Sequence, residues 1–118
     1  MPIEVIHEPP PARVYIAGPM SGLPEFNYPA FFAAEELLRE WGLNPQNPAR
    51  NPEQENWQGY MKLAIAMLMT CEAIYLLPGW ERSPGALIEH DLARRCGLEV
   101  VYPHEWCPGF VDPWEGIA

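Results

Sequence analysis

The feature that most constrains this chain is a regular alternation of short apolar segments with longer helix-forming ones. Residues 13–17, 73–77 and 98–102 are apolar segments rich in β-branched and aromatic residues, and a short second strand is predicted around residues 43–45. Between them lie stretches with helical character at residues 29–41, 57–71 and 84–96. Strands and helices that alternate with short connections favour parallel strands joined by crossover helices. The pattern therefore predicts an α/β protein.

Glycine and proline mark the ends of these segments. Gly18-Pro19 follows the first strand, Gly42 and Gly97 end helices, and Ser83-Pro84 is a helix-start signal. With 118 residues the chain has the length of one domain. We expect a single domain over residues 1–118, a three-layer sandwich with a mostly parallel, flavodoxin-like sheet of four to five strands.

The two ends of the chain differ from this pattern. Three consecutive prolines, Pro9 to Pro11, cannot continue a helix or a strand ladder, so residues 1–12 are predicted to form an extended arm. Residues 103–118 form a tail in which Trp106, Phe110 and Trp114 recur among prolines. These aromatics either fold back on the domain or dock on a neighbouring subunit.

Charge and cysteine content exclude several classes of function. A net charge of −9 with seven Lys and Arg residues argues against binding to nucleic acid or to an anionic membrane. A small phosphorylated ligand stays possible, because a helix N-terminus can hold one phosphate without a basic patch. The three cysteines lack metal-binding spacing, so no metal and no cofactor is expected. No secretory or membrane-spanning segment is recognisable, which predicts a cytoplasmic protein.

Ligands of parallel α/β sheets bind beyond the carboxyl ends of the strands. That rule selects three segments of this chain: residues 18–22 after the first strand, residues 78–85 after the third, and the tail after Tyr102. The 18–22 loop is not a phosphate-binding Walker loop, since it lacks the GK[ST] ending.

Glu89 is the best candidate for a reactive residue. It lies in the second turn of the third helix, and the residues three and four positions away are Gly85, Ala86, Leu92 and Ala93. A solvated helical glutamate usually has a basic residue at such a spacing. Glu89 therefore suits a pocket carboxylate, and the alternative is an ordinary surface residue.

Two further residues flank the predicted crevice. Tyr15 can direct its hydroxyl into the crevice, or it can be a core tyrosine. Ser83 is first of all a helix cap, a role compatible with phosphate binding because both use the free N–H groups of the first turn.

Two stretches of the chain resemble a known family. These are YIAGPMSGLPEFNYPAF, residues 15–31, and LLPGWERSPGALIEHDLARRCGLEVV, residues 76–101, with the spacing Ser83-x-Gly85-x-x-x-Glu89 as the most specific part. They resemble a DUF4406-type family of small bacterial and phage proteins within the nucleoside 2-deoxyribosyltransferase-like superfamily. The resemblance covers about residues 13–102.

The resemblance implies a reaction and a set of site residues. In that superfamily a glutamate at the position of Glu89 attacks the anomeric carbon of a nucleoside, and Tyr15 would orient it. Ser83 and the backbone after it would hold the 5′ side of the substrate. Substrate-binding residues are expected at Gly18, Pro19, Met20, Ser21, Gly79, Ser83 and Gly85.

This sequence departs from the superfamily at one position. Many members carry an aspartate on the second helix, eight residues before the acidic residue that precedes the third strand, and counting back from Glu72 reaches Ala64. Glu72 or a residue of a neighbouring subunit is a possible substitute.

Three functions therefore stay open. The first is an enzyme that hydrolyses or transfers the N-glycosidic bond of a nucleoside or its 5′-monophosphate. The second is a non-catalytic protein that senses or sequesters a nucleotide, and the third is a module that binds a protein partner. The resemblance also implies a homo-oligomer.

Overall fold

A computed structural model describes residues 10–102 of the chain. The predicted aromatic tail and most of the predicted N-terminal arm lie outside these residues. The helices and strands are β1 (Arg13–Ala17), α1 (Tyr28–Glu40), β2 (Asn44–Gln46), α2 (Trp57–Leu68), β3 (Ala73–Leu76), α3 (Pro84–Arg95) and β4 (Glu99–Val101). Three short 3-10 helices cover Pro24–Asn27, Pro48–Arg50 and Trp80–Arg82.

The four strands of the described residues form one parallel sheet in the order β2-β1-β3-β4. β1 lies in its interior, with Tyr15 opposite Gln46 of β2 and Ile74 of β3. The predicted flavodoxin-like α/β architecture is confirmed.

The strict alternation of side chains along a strand sends β1 residues to two separate cores. Val14 and Ile16 pack with buried residues of α1, including Phe31. Tyr15 and Ala17 lie on the other face, with α2 and α3. Each face of the sheet is thus covered by helices, and Tyr15 is directed towards α3.

Some predicted boundaries differ from the observed ones by a few residues. The second helix ends at Leu68 and not at residue 71, because the N–H groups of Thr70 and Cys71 bond carbonyls only three residues back and turn the chain into β3. Trp41, the last residue of the predicted first helix, follows the last turn of α1 and is 45% exposed. Such differences at element ends are expected where chains fray into turns.

Gly18 brings the ends of β1 and β3 together. A Cβ at this position would lie 2.7 Å from the Cβ of Leu77. A glycine is therefore required for close packing of the two strand ends, in addition to any approach by a ligand.

None of the helices in residues 10–102 has the length and apolar character that crossing a membrane requires.

Candidate active site

A cavity of about 320 Å³ lies at the carboxyl ends of β1 and β3. From β1 the chain crosses to β2 on one side, whereas β3 lies on the other. This reversal leaves a crevice in which α/β proteins bind ligands. The volume is at the lower end of the range for small-molecule sites.

Glu89 and Tyr15 meet at this cavity, and both line it. The Tyr15 Oη donates a hydrogen bond to Glu89 Oε2. Glu89 is 5% exposed and Tyr15 is 1% exposed. The two residues are 74 positions apart in the sequence, and the sheet face shared with α3 brings them together.

Burial changes the protonation of both groups. Desolvation raises the pKa of Glu89 to about 7, and the hydrogen bond from Tyr15 acts in the opposite direction because it favours the carboxylate. The pKa of Tyr15 is raised well above its ordinary value, first by desolvation and then by the charge of Glu89. Glu89 is thus divided between its acid and carboxylate forms near neutral pH, which suits a group that reacts as a base or nucleophile.

The loop after β1 forms one wall of the cavity. Gly18, Pro19, Met20 and Ser21 all line it. Gly18 and Pro19 are buried and Ser21 is exposed. The Nδ2 of Asn27 donates to the Pro19 carbonyl over 3.0 Å and holds this loop against the start of α1.

The start of α3 forms a second wall. Ser83 caps the helix, accepting a 3.2 Å hydrogen bond from the Ala86 N–H, and it also lines the cavity with Gly85. A Cβ on Gly85 would lie 3.2 Å from the Met61 Sδ, so this glycine lets α2 and α3 approach closely. The first-turn N–H of Gly85 belongs to the groups that lack an acceptor within a helix.

Gly79 was expected to bind the substrate, but it is not among the residues that line the cavity. Its φ of 84° is left-handed, a conformation that glycine adopts without strain, and it starts the 3-10 helix Trp80–Arg82. The chain reaches the cavity only after that turn, at Arg82 and Ser83.

Aromatic residues at the cavity were missed by the sequence reasoning. Phe26, Tyr28, Trp57 and Tyr60 all line it. Tyr28 and Trp57 begin α1 and α2, and helices that follow parallel strands begin at the edge where ligands bind. The predicted starts of these two helices were therefore a signal that could have identified Tyr28 and Trp57.

Phe26 is held at the cavity by an unusual backbone. Glu25, Phe26 and Asn27 have φ values of 54°, 53° and 58°, and none of them is glycine. A left-handed conformation costs an ordinary residue about 1–2 kcal/mol. Strain of this kind is concentrated at ligand sites, and here it presents a ring that is 60% exposed.

Ala64 lies on the cavity wall and places a methyl group there. Glu72 cannot substitute for a carboxylate at that position. Its Oε2 accepts a 2.7 Å hydrogen bond from the N–H of Arg13, the first residue of β1, so it lies at the amino ends of the parallel strands. The cavity is at their carboxyl ends.

An ion pair supports the wall formed by Pro48 and Asn51. The guanidinium of Arg50 donates to both carboxylate oxygens of Glu35 on α1, over 2.6 Å and 2.7 Å. These hydrogen bonds lower the pKa of Glu35, whose side chain is 4% exposed. The pair joins the loop after β2 to α1.

The fold and the site together define an α/β domain with a buried Glu-Tyr pair beside a cavity at the carboxyl ends of β1 and β3. Residues 12–102 match the sequence family described as "Domain of unknown function (DUF4406)". This chain belongs to that family.

Comparison with solved structures identifies a similar fold. A 2-desoxiribosyltransferase from Leishmania mexicana superposes with a TM-score of 0.63 at 22% sequence identity. The match covers 78% of this chain and 63% of that one. A search among curated proteins found no match. At this identity the similarity establishes the fold alone.

Proposed function

We propose that this protein cleaves the N-glycosidic bond of a nucleoside or nucleoside 5′-monophosphate, by hydrolysis or by transfer of the sugar, with Glu89 as nucleophile. The observation that carries the proposal is the buried carboxyl of Glu89, hydrogen-bonded by Tyr15 and open to the cavity. The fold shared with a 2-desoxiribosyltransferase supports the same reaction, as does the resemblance to its superfamily.

The reaction proceeds in two displacements. The carboxylate of Glu89 attacks the anomeric carbon, and the bond to the base breaks through an oxocarbenium-like transition state. Water, or a second base, then attacks the same carbon and releases the sugar from Glu89. Tyr15 orients the carboxylate through its hydroxyl.

The two glycine-containing walls hold the remainder of the substrate. Ser83 and Gly85 receive the 5′ side at the N-terminus of α3, where the helix dipole favours an anion. Residues 18–21 contact the sugar, and the aromatic residues of the cavity stack on the base.

Ala64 favours a second candidate function, a protein that binds a nucleotide without turning it over. A methyl group stands where many superfamily members place an aspartate, and Glu72 is at the wrong edge of the sheet. Loss of an acid or base commonly slows an enzyme about 10²–10⁴-fold.

One experiment separates the two functions. The protein is incubated with a panel of ribonucleosides, deoxyribonucleosides and their 5′-monophosphates, and free base is measured by chromatography while binding is measured by calorimetry. Release of free base above the uncatalysed rate is expected. Binding without release would support the sequestering protein, and neither binding nor release would contradict both functions.

We also propose that the protein is a homo-oligomer. Leu87 and Ile88 of α3 are 44% and 40% exposed, next to the helix turn that carries Glu89. Apolar side chains at this exposure suit a subunit contact. Light scattering at micromolar concentration is expected to give a mass of at least two subunits, and a monomeric mass would contradict the proposal. Truncation after Tyr102 then tests the contribution of the tail.

A further inference from the structure

The cavity combines one buried acidic group with exposed aromatic faces. Among the cavity-lining residues of the described chain, Glu89 is the carboxyl group. Phe26, Trp57 and Tyr60 line the same space while staying 60%, 47% and 39% exposed, so their rings are at the solvent side. Aromatic faces beside an anion are the arrangement that proteins use to recognise organic cations.

We propose that the preferred substrates are N-glycosides whose base carries a positive charge, such as a pyridinium or an N-alkylated purinium. This inference rests on the proposed function and adds the class of leaving group. The flat cationic ring stacks on the aromatic side chains, and its charge faces the carboxylate of Glu89.

A cationic substrate also activates the nucleophile. Burial disfavours the charged form of Glu89, and a positive charge beside it in a site of low dielectric restores that form. Binding of the cation thus generates the carboxylate that attacks. A neutral base provides no such compensation.

The departure of the base also favours a cationic substrate. When Glu89 Oε forms its bond to the anomeric carbon, the electron pair of the breaking C–N bond moves to the ring nitrogen. A neutral base would leave as an anion and needs a proton from an acid, whereas a cationic base leaves as a neutral molecule. Water then displaces Glu89, which leaves as the carboxylate, and the proton of the water passes to solvent.

The described walls of the cavity fit a reaction without proton donation to the base. The Tyr15 hydroxyl is directed to Glu89, and burial makes it a weaker acid than an ordinary phenol, since its pKa is raised. Ala64 presents a methyl group. Apart from Glu89, the lining of the cavity in the described part of the chain holds no Asp, Glu or His side chain that could donate this proton.

Arg82 introduces a positive charge that repels a bound cation. It lines the cavity next to Ser83 and is exposed, so solvent and salt screen its effect on a bound cation. The net charge of −9 acts in the other direction and attracts cations to the protein.

The test compares matched substrates on the wild-type protein. Nicotinamide riboside is paired with its neutral dihydro form, and 7-methylguanosine with guanosine, each also as the 2′-deoxy analogue, with uncatalysed rates subtracted. We expect kcat/KM to be at least about 100-fold higher for the cationic member of each pair, the lower range for the contribution of a general acid. Equal values would overturn this inference and leave the proposed function intact. Cleavage of no substrate would overturn both.

A pair of variants at one position isolates the role of the proton. Ala64→Asp introduces a carboxylic acid into the wall, and Ala64→Asn introduces the same shape without the acid. Ala64→Asp is expected to increase kcat for the neutral substrates at least about tenfold and to narrow the preference for cations, while Ala64→Asn leaves the preference unchanged. A preference that is the same in both variants would contradict the inference. Thermal unfolding of each variant checks that it folds.

Discussion

Replacing Glu89 with glutamine is expected to reduce kcat at least about a thousandfold on any nucleoside that the wild-type protein cleaves. The amide keeps the size of the carboxyl and can still accept the hydrogen bond from Tyr15, but it is a poor nucleophile. Affinity for neutral nucleosides should stay within about tenfold, since the amide keeps the shape of this part of the cavity wall.

The matched control is Glu40→Gln, the same chemical change at an exposed position at the end of α1 that does not line the cavity. Single-turnover assays and calorimetry on both variants separate loss of chemistry from loss of binding. Full activity of Glu89→Gln would remove the mechanism. Equal affinity of wild type and variant with activity in neither would favour the protein that sequesters its ligand.

The same substitution is expected to stabilise the fold at alkaline pH. Because the pKa of Glu89 is raised from 4.5 to about 7, the folded protein holds a proton that the unfolded chain releases. The stability linked to this group is fully present below pH 4.5 and is lost as the pH rises through about 7. Ionisation of Glu89 therefore destabilises the wild-type fold by about 3 kcal/mol at pH 9 relative to pH 4.5.

Glutamine has no charge to bury, so the variant lacks this dependence. Urea unfolding of both proteins at several pH values gives the difference between their unfolding free energies, and this difference should change by about 3 kcal/mol over that range in favour of Glu89→Gln. Other titrating groups are common to both proteins and cancel. Parallel stability profiles would show that Glu89 is not buried in an ionisable state as described.

The sequence alone was sufficient for features that depend on neighbouring residues. The alternation of strands and helices predicted the parallel α/β fold, and Ser83 followed by Pro84 predicted the start of α3. Glu89 was selected because the residues around it on the helix are small or apolar. Each of these inferences uses side-chain spacing within one element, which the chain carries before it folds.

The tertiary structure decided what depends on the order of the strands and on the faces of the sheet. The hydrogen bond between Tyr15 and Glu89 exists because β1 lies beside β3 and turns Tyr15 towards α3. The same packing placed Glu72 at the opposite edge and left Gly79 outside the cavity. It also brought Phe26, from the 3-10 helix before α1, and Trp57, from the start of α2, to the same cavity. Such contacts join residues far apart in the chain, and no local pattern encodes which strands become neighbours or how a loop closes over the sheet.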